Sequence, residues 1–168
     1  GSRGLGDVYK RQRSFRTAST SLCVIGLLTS PLKEDPAVKA SLDKALQYLL
    51  TTLPTLKRGD TRTVLGVWGH AYGLSALSRA ARNLPADAPL REELKKVASL
   101  QVKALDQMAD VQGGWGYYTF ETFSKRPIGE PTSFLTATVL LAYKDAEQAF
   151  GLKAEPRIVK RALSLIHI

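Results

Sequence analysis

Aromatic side chains near a histidine are the residues in this sequence whose types and spacing could do chemistry. They occur in two short segments, one around residue 70 and one around residue 116. Aromatic ring faces can line an apolar pocket and attract a cation, and an imidazole could supply a polar contact within such a pocket. One hypothesis is therefore a pocket for a hydrophobic ligand. Its candidate lining residues are Trp68, His70, Tyr72, Trp115, Tyr117 and Tyr118.

The alternative is that the same residues serve packing. Large aromatic rings often stack between neighbouring helices, and a buried histidine is usually held by a hydrogen bond to backbone. In that case His70 contributes to stability and touches no ligand. Both interpretations stay open at this point, and packing is the more common role of such residues.

Catalytic and metal-binding patterns are missing from the sequence. Cys23 and His70 are too few for a zinc site, which usually needs three or four ligands, and Cys23 is expected to be a small buried apolar residue. There is no Gly-rich phosphate loop and no nucleophile elbow. We therefore predict no metal and no cofactor, and we name no catalytic residue.

The charge and composition exclude several classes of protein. The chain has 168 residues, a formal charge of +9, and one cysteine, so it cannot form an intrachain disulfide. Its densest basic segments, residues 57–62 and 125–126, lack interleaved aromatic residues, so we do not expect nucleic-acid binding. Association with an anionic membrane surface stays open, although no amphipathic insertion helix is evident. The sequence assigns no compartment.

The two ends of the chain can be encoded by one DNA sequence and its reverse complement. Residues 7–12 can be encoded by GATGTGTATAAGAGACAG, whose reverse complement encodes Leu-Ser-Leu-Ile-His-Ile, the sequence of residues 163–168. This DNA resembles the mosaic end of a transposon used to prepare sequencing libraries. We expect residues 1–12 and 163–168 to be translated adapter on a metagenomic fragment, with residues 13–162 as the informative domain. His167 then carries no functional argument.

Three pairs of helices are predicted between these ends. Each pair has an apolar helix, a proline-containing link, and then an amphipathic helix whose apolar residues recur every three or four positions. The apolar helices are expected at residues 20–30, at 64–84 and from about 133, and the amphipathic helices from Pro36, from Leu90 after the link that ends at Pro89, and from Pro156. The three prolines are spaced by 53 and 67 residues, with an irregular stretch at 110–131. This repeat predicts two layers, with the apolar helices inside.

A motif stands at the end of the second pair. Leu105 and Gln107 are followed, after five further residues, by Gly113, Gly114 and Trp115. This pattern resembles the QW repeat of squalene–hopene cyclases and is similar to repeats in protein prenyltransferase beta subunits. The resemblance implies an α/α toroid, a ring of inner and outer helices. It also implies that these five residues are structural: the glycines allow positive φ and close approach, Trp115 stacks, and Gln107 ties the loop backbone.

The resemblance implies an all-α fold, a partial α/α toroid of about three helical hairpins. The Asp-x-Asp-Asp acid motif of the cyclases and the zinc ligands of the prenyltransferases are both missing. We therefore expect a toroid scaffold or a binding module for a hydrophobic ligand, isoprenoids included, or for a protein partner. The alternative is part of a terpenoid cyclase whose acid motif lies outside this chain. Oligomeric state does not follow from the sequence.

Overall fold

Six α-helices and one short 3-10 turn make up the described part of the chain, in which there is no β-strand. The computed structural model describes residues 2–56, 66–117 and 127–166, so the all-α expectation is confirmed for them. Tyr118 and the basic segments 57–62 and 125–126 lie outside the described residues. The helices are α1 Ser2–Thr29, α2 Pro36–Thr52, α3 Gly66–Arg82, α4 Pro89–Met108, α5 Ser133–Phe150 and α6 Pro156–Ile166, with the 3-10 turn at Leu53–Thr55.

Local sequence signals set the ends of several helices. The Asp35 carboxylate accepts hydrogen bonds from the backbone N–H groups of Ala37 and Val38, at 2.8 and 3.4 Å, and so caps α2. Helices α2, α4 and α6 each begin with proline, whose missing N–H has no cost in the first turn. Gly151 ends α5 in the left-handed region at φ 69°. Each of these boundaries is set by residues within one turn of the helix end.

The helices pack in two layers. Helix α3 lies between α1 and α5, and α2, α4 and α6 each pack against the helix that precedes them. Most of α3 is buried, as its nearly continuous apolar sequence predicted. The centre of the core is formed by fully enclosed side chains, among them Leu49, Leu53, Leu74, Leu77, Leu94, Leu105, Trp115 and Leu135.

Helices α3 and α5 run parallel. The Trp68 and Phe134 rings meet near the N-terminal ends, and Arg82 donates to Gln148 near the C-terminal ends at 2.8 Å. Both pairs are 66 residues apart, so the register is constant along the interface. Asp145 accepts hydrogen bonds from Arg79 and Arg82, each at 3.0 Å, and it is mostly buried. This ion pair holds the last turns of the two helices together.

A second arginine contact joins the same helix ends. The Arg91 guanidinium, on the first turn of α4, donates to the backbone carbonyl of Ala81 in α3 and to that of Ala149 in α5, the latter at 2.8 Å. The final carbonyls of an α-helix have no partner within the helix. Arg91 therefore donates to carbonyls at two helix ends at once, and the Ala81 carbonyl also accepts from the Leu84 N–H at 3.2 Å.

Helix α1 differs from the expectation in two ways. It is 28 residues long, well beyond the predicted residues 20–30, and it is not enclosed on all sides. Leu22 is 48% exposed and Cys23 is exposed, so the expectation of a buried Cys23 was wrong. The reason is position: α1 stands at the edge of its layer, where only one flank meets α3.

Both predicted adapter boundaries fall inside helices. Helix α1 continues across residue 12 and α6 continues across residue 162. A helix extends through any stretch that lacks proline and has adequate propensity, so this continuity does not bear on the origin of the ends.

We predict that Arg91→Met lowers the free energy of unfolding by about 2 kcal/mol, because charge-assisted hydrogen bonds to two helix ends are lost. Thermal or urea unfolding measures the change. Arg157→Met is the matched control, since Arg157 is exposed and makes no hydrogen bond to the described residues. Equal effects of the two substitutions would contradict the bridging role.

Candidate functional site

Four aromatic side chains form a cluster near the N-terminal ends of α3 and α5. Trp68 and Tyr72 come from α3, Phe134 from α5, and Tyr117 from the segment after α4. The Trp68 ring lies 5.3 Å from Tyr72, 5.9 Å from Phe134 and 6.0 Å from Tyr117, measured between centroids. Tyr117 and Phe134 are 5.9 Å apart. We call these four residues the aromatic cluster.

Two levels of structure create this cluster. Trp68 and Tyr72 are four residues apart on one helix, which places them on the same face. The parallel register of α3 and α5 then brings Phe134 against Trp68, in a nearly stacked pair with an interplanar angle of 25°. Ring pairs at this separation attract each other beyond the area that they bury.

The aromatic cluster presents apolar ring surface to solvent. Phe134 is 56% exposed, and Trp68, Tyr72 and Tyr117 are partly exposed. A ligand could therefore contact ring faces and edges here without any rearrangement of the buried core. The cluster could bind an apolar chain or a cation, since aromatic faces suit both.

His70 does not belong to the aromatic cluster. It is 3% exposed, and its Nδ1 lies 2.7 Å from the Oε1 of Gln101 in α4. The expected hydrogen bond to backbone is replaced by this side-chain contact between α3 and α4. His70 thus joins two helices of the core, and it is not placed to contact a ligand on the aromatic cluster.

The second hydrogen bond of Gln101, to Val97, determines which tautomer His70 adopts. The Gln101 amide Nε2 donates to the Val97 carbonyl at 3.1 Å, so its Oε1 faces His70 and accepts from Nδ1–H. His70 Nε2 has no hydrogen-bond partner among the described residues. Burial lowers the pKa of His70 because the imidazolium would lose its hydration, and the hydrogen bond with Gln101 opposes this in part.

Trp115 is placed apart from the aromatic cluster. It is fully buried, and its ring meets Tyr143 edge-to-face at 5.8 Å. Its indole N–H donates to the Leu105 carbonyl at 2.9 Å, in the last turn of α4. Its backbone N–H donates to Thr136 Oγ1 at 3.1 Å. Trp115 therefore ties the end of α4 to the start of α5, as expected for a structural role and not for a ligand contact.

The glycines of the motif adopt the geometry that the sequence predicted. Gly113 and Gly114 have φ of 113° and 78°, values that L side chains rarely adopt. Gly116 has an ordinary φ, but a Cβ there would lie 2.5 Å from the Glu130 carbonyl oxygen. These three positions require glycine for two different reasons.

Gln107 does not tie the described part of the loop. Its side chain is exposed and has no hydrogen-bond partner among the described residues. Asp110 takes that role: its carboxylate accepts from the backbone N–H of Gln112 at 2.7 Å and from that of Gly129 at 2.8 Å. The two ends of the irregular segment are thereby joined through one buried carboxylate.

Three residues that matter here were missed from the sequence. Asp110 carries a local signal, since an aspartate before a glycine pair favours an Asx turn. Gln101 is an amide on the apolar face of α4, which suggests a buried partner. Phe134 has no local signal, because its place in the aromatic cluster depends on the packing of α5 against α3.

Metal and membrane features are absent from the described residues. No group of three or more histidine, cysteine or acidic side chains in residues 2–56, 66–117 and 127–166 is arranged to hold a metal ion. None of the helices described is both long enough and apolar enough to cross a bilayer.

We predict that Gly116→Ala destabilises the protein by about 2 kcal/mol, because a backbone carbonyl cannot move aside as a flexible side chain can. Gly26→Ala is the matched control. No atom lies within 4 Å of a Cβ at Gly26, within α1, so alanine there should be neutral or stabilising. Thermal unfolding of both variants checks this, and a stable Gly116→Ala protein would contradict the close approach.

We predict that His70 makes stability depend on pH. Its pKa is lower in the folded state than in the unfolded chain, so the unfolded chain binds the extra proton first as pH falls. Stability should therefore decrease below about pH 6.5, by up to about 1.4 kcal/mol per pH unit until the folded-state pKa is reached.

The variant His70→Leu should show a smaller decrease between pH 7 and pH 5, together with lower stability at pH 7.5, because Gln101 loses its partner. Urea unfolding across this pH range measures both effects. His167 is present in both proteins, so it does not account for a difference between them. Identical pH profiles would refute the assignment to His70.

Comparison with protein-family models, with curated proteins and with solved structures gave no match for this chain.

Proposed function

We propose that this chain is part of an α/α toroid-type repeat protein and acts as a non-catalytic binding module that takes hydrophobic ligands, isoprenoids among them, on the aromatic cluster. The repeat character is supported by three consecutive helix pairs in two layers. It is also supported by the motif in which Trp115 and its flanking glycines join one pair to the next.

The exposed Phe134 ring is the observation that carries the binding proposal. A side chain of this size at 56% exposure, in stacked contact with Trp68, forms a surface that water wets poorly. Tyr72 and Tyr117 extend that surface and add hydroxyl groups at its edge. An apolar ligand that covers these rings removes their surface from water.

Side-chain chemistry within the described residues supports binding over catalysis. His70, the histidine nearest the aromatic cluster in sequence, is buried and engaged with Gln101. The carboxylate of Asp145 is paired with two arginines at the opposite ends of α3 and α5. Neither group is placed to exchange a proton with a ligand on the aromatic cluster.

The test is titration with geraniol, a short isoprenoid alcohol, followed by tryptophan fluorescence. Trp68 is partly exposed while Trp115 is fully buried, so a change in emission reports on the aromatic cluster. We expect Phe134→Ser to weaken binding about fivefold through the loss of apolar contact area. His70→Leu should leave geraniol affinity unchanged.

Leu32→Ser is the matched control, since Leu32 is 64% exposed but lies in the link between α1 and α2. It should bind geraniol as the unmodified protein does. If geraniol leaves the tryptophan emission unchanged, or if both serine variants weaken geraniol binding equally, the aromatic cluster is not the binding surface.

A further inference from the structure

A groove lies between α5 and α6, and none of its lining residues comes from α3. It has a volume of about 990 Å³, and its floor is apolar, with Leu140, Leu141, Leu152 and Val159 among its lining residues. Leu141 is 62% exposed, and the other three are partly buried. All four lie within residues 13–162, whereas Leu163, Ser164 and Ile166, which also line the groove, belong to the predicted adapter tail. We call this feature the α5–α6 groove.

The rim of the α5–α6 groove is basic. Lys144, Lys153 and Lys160 stand around the apolar floor, and all three are exposed. Glu147 is the one acidic side chain among the lining residues, and it pairs with Lys153 at 3.7 Å. Lys144 and Lys160 form no ion pair with the residues that the structure describes, so the rim keeps a net positive charge.

The geometry points to an acidic amphipathic helix as the occupant: we propose that the α5–α6 groove docks a partner helix with an apolar stripe flanked by Asp or Glu. A recessed floor between two helices fits a third helix, whose residues at i, i+3, i+4 and i+7 would enter it. Carboxylates beside that stripe would meet Lys144 and Lys160. The inference does not depend on ligand binding at the aromatic cluster.

Charge argues against a second copy of this chain as the occupant. Residues 9–29 of α1, the opposite edge of the inner layer, contain Arg13 and Arg16 but no acidic side chain. Pairing of the α5–α6 groove with α1, or with the same groove of a second copy, would therefore bring like charges together. A flat bilayer surface also fits less well, because much of the floor is recessed between helices.

A pair of labelled peptides tests the proposal on the full chain. Each is an amphipathic helix of about 14 residues with the same leucine stripe, flanked by glutamate in one peptide and by lysine in the other. Fluorescence anisotropy should show the glutamate peptide binding about tenfold tighter at low salt, with the preference declining as ionic strength rises.

Two variants locate the binding. Leu141→Ser should weaken binding of the glutamate peptide. Leu32→Ser should not, and it is the matched control because Leu32 is an apolar residue of similar exposure outside the groove. The double variant Lys144→Glu/Lys160→Glu should reverse the preference in favour of the lysine peptide. Nonspecific hydrophobic binding cannot produce such a reversal of the peptide preference.

Other outcomes overturn the proposal. Equal affinity for the two peptides, or binding that is insensitive to all groove variants, refutes the docking site. Concentration-dependent dimerisation that Leu141→Ser abolishes, measured by sedimentation, identifies a second copy as the occupant. Co-sedimentation with phosphatidylserine vesicles that Leu141→Ser abolishes, without peptide binding, identifies a membrane surface instead.

Discussion

Most residues of helix α3 are buried, and a helix with so small a polar face has to be enclosed by protein on most sides. Its neighbours α1, α5 and α4 provide that enclosure, and the two-layer arrangement follows from it. Helices at the edge of the layer are less constrained, which is why α1 leaves Leu22 exposed and α5 leaves Leu141 exposed. Both helices that flank α3 therefore carry exposed apolar side chains.

Polar contacts at helix ends then determine how the enclosing helices are aligned. Arg91 satisfies carbonyls of α3 and α5 together, and Asp145 is held by two arginines of α3. At the other end, Trp115 joins the last turn of α4 to the first turns of α5. With both ends held, α5 cannot slide along α3, and Phe134 stays against Trp68. The aromatic cluster therefore depends on the register between α3 and α5.

Some parts of the candidate site can be predicted from the sequence and others cannot. Trp68 and Tyr72 were both predicted as candidates, and they lie together because residues four apart share one face of a helix. Trp115 and His70 were grouped with them by composition, yet the structure encloses both elsewhere in the core. Whether an aromatic ring faces solvent or a neighbouring helix depends on tertiary contacts, which composition does not contain. Phe134 was missed for the same reason.

The sequence by itself determined helices α2 to α6 and the order of the three helix pairs, because hydrophobic periodicity and the leading prolines act over a few residues. It also predicted an irregular segment at residues 110–131, in which Gly113 and Gly114 have positive φ. Only the tertiary structure decided that Asp110 closes the loop where Gln107 was expected, that Cys23 is exposed, and that α5 and α6 enclose a basic-rimmed groove. These features depend on which helices lie side by side, and residues far apart in the chain meet only when the fold brings them together.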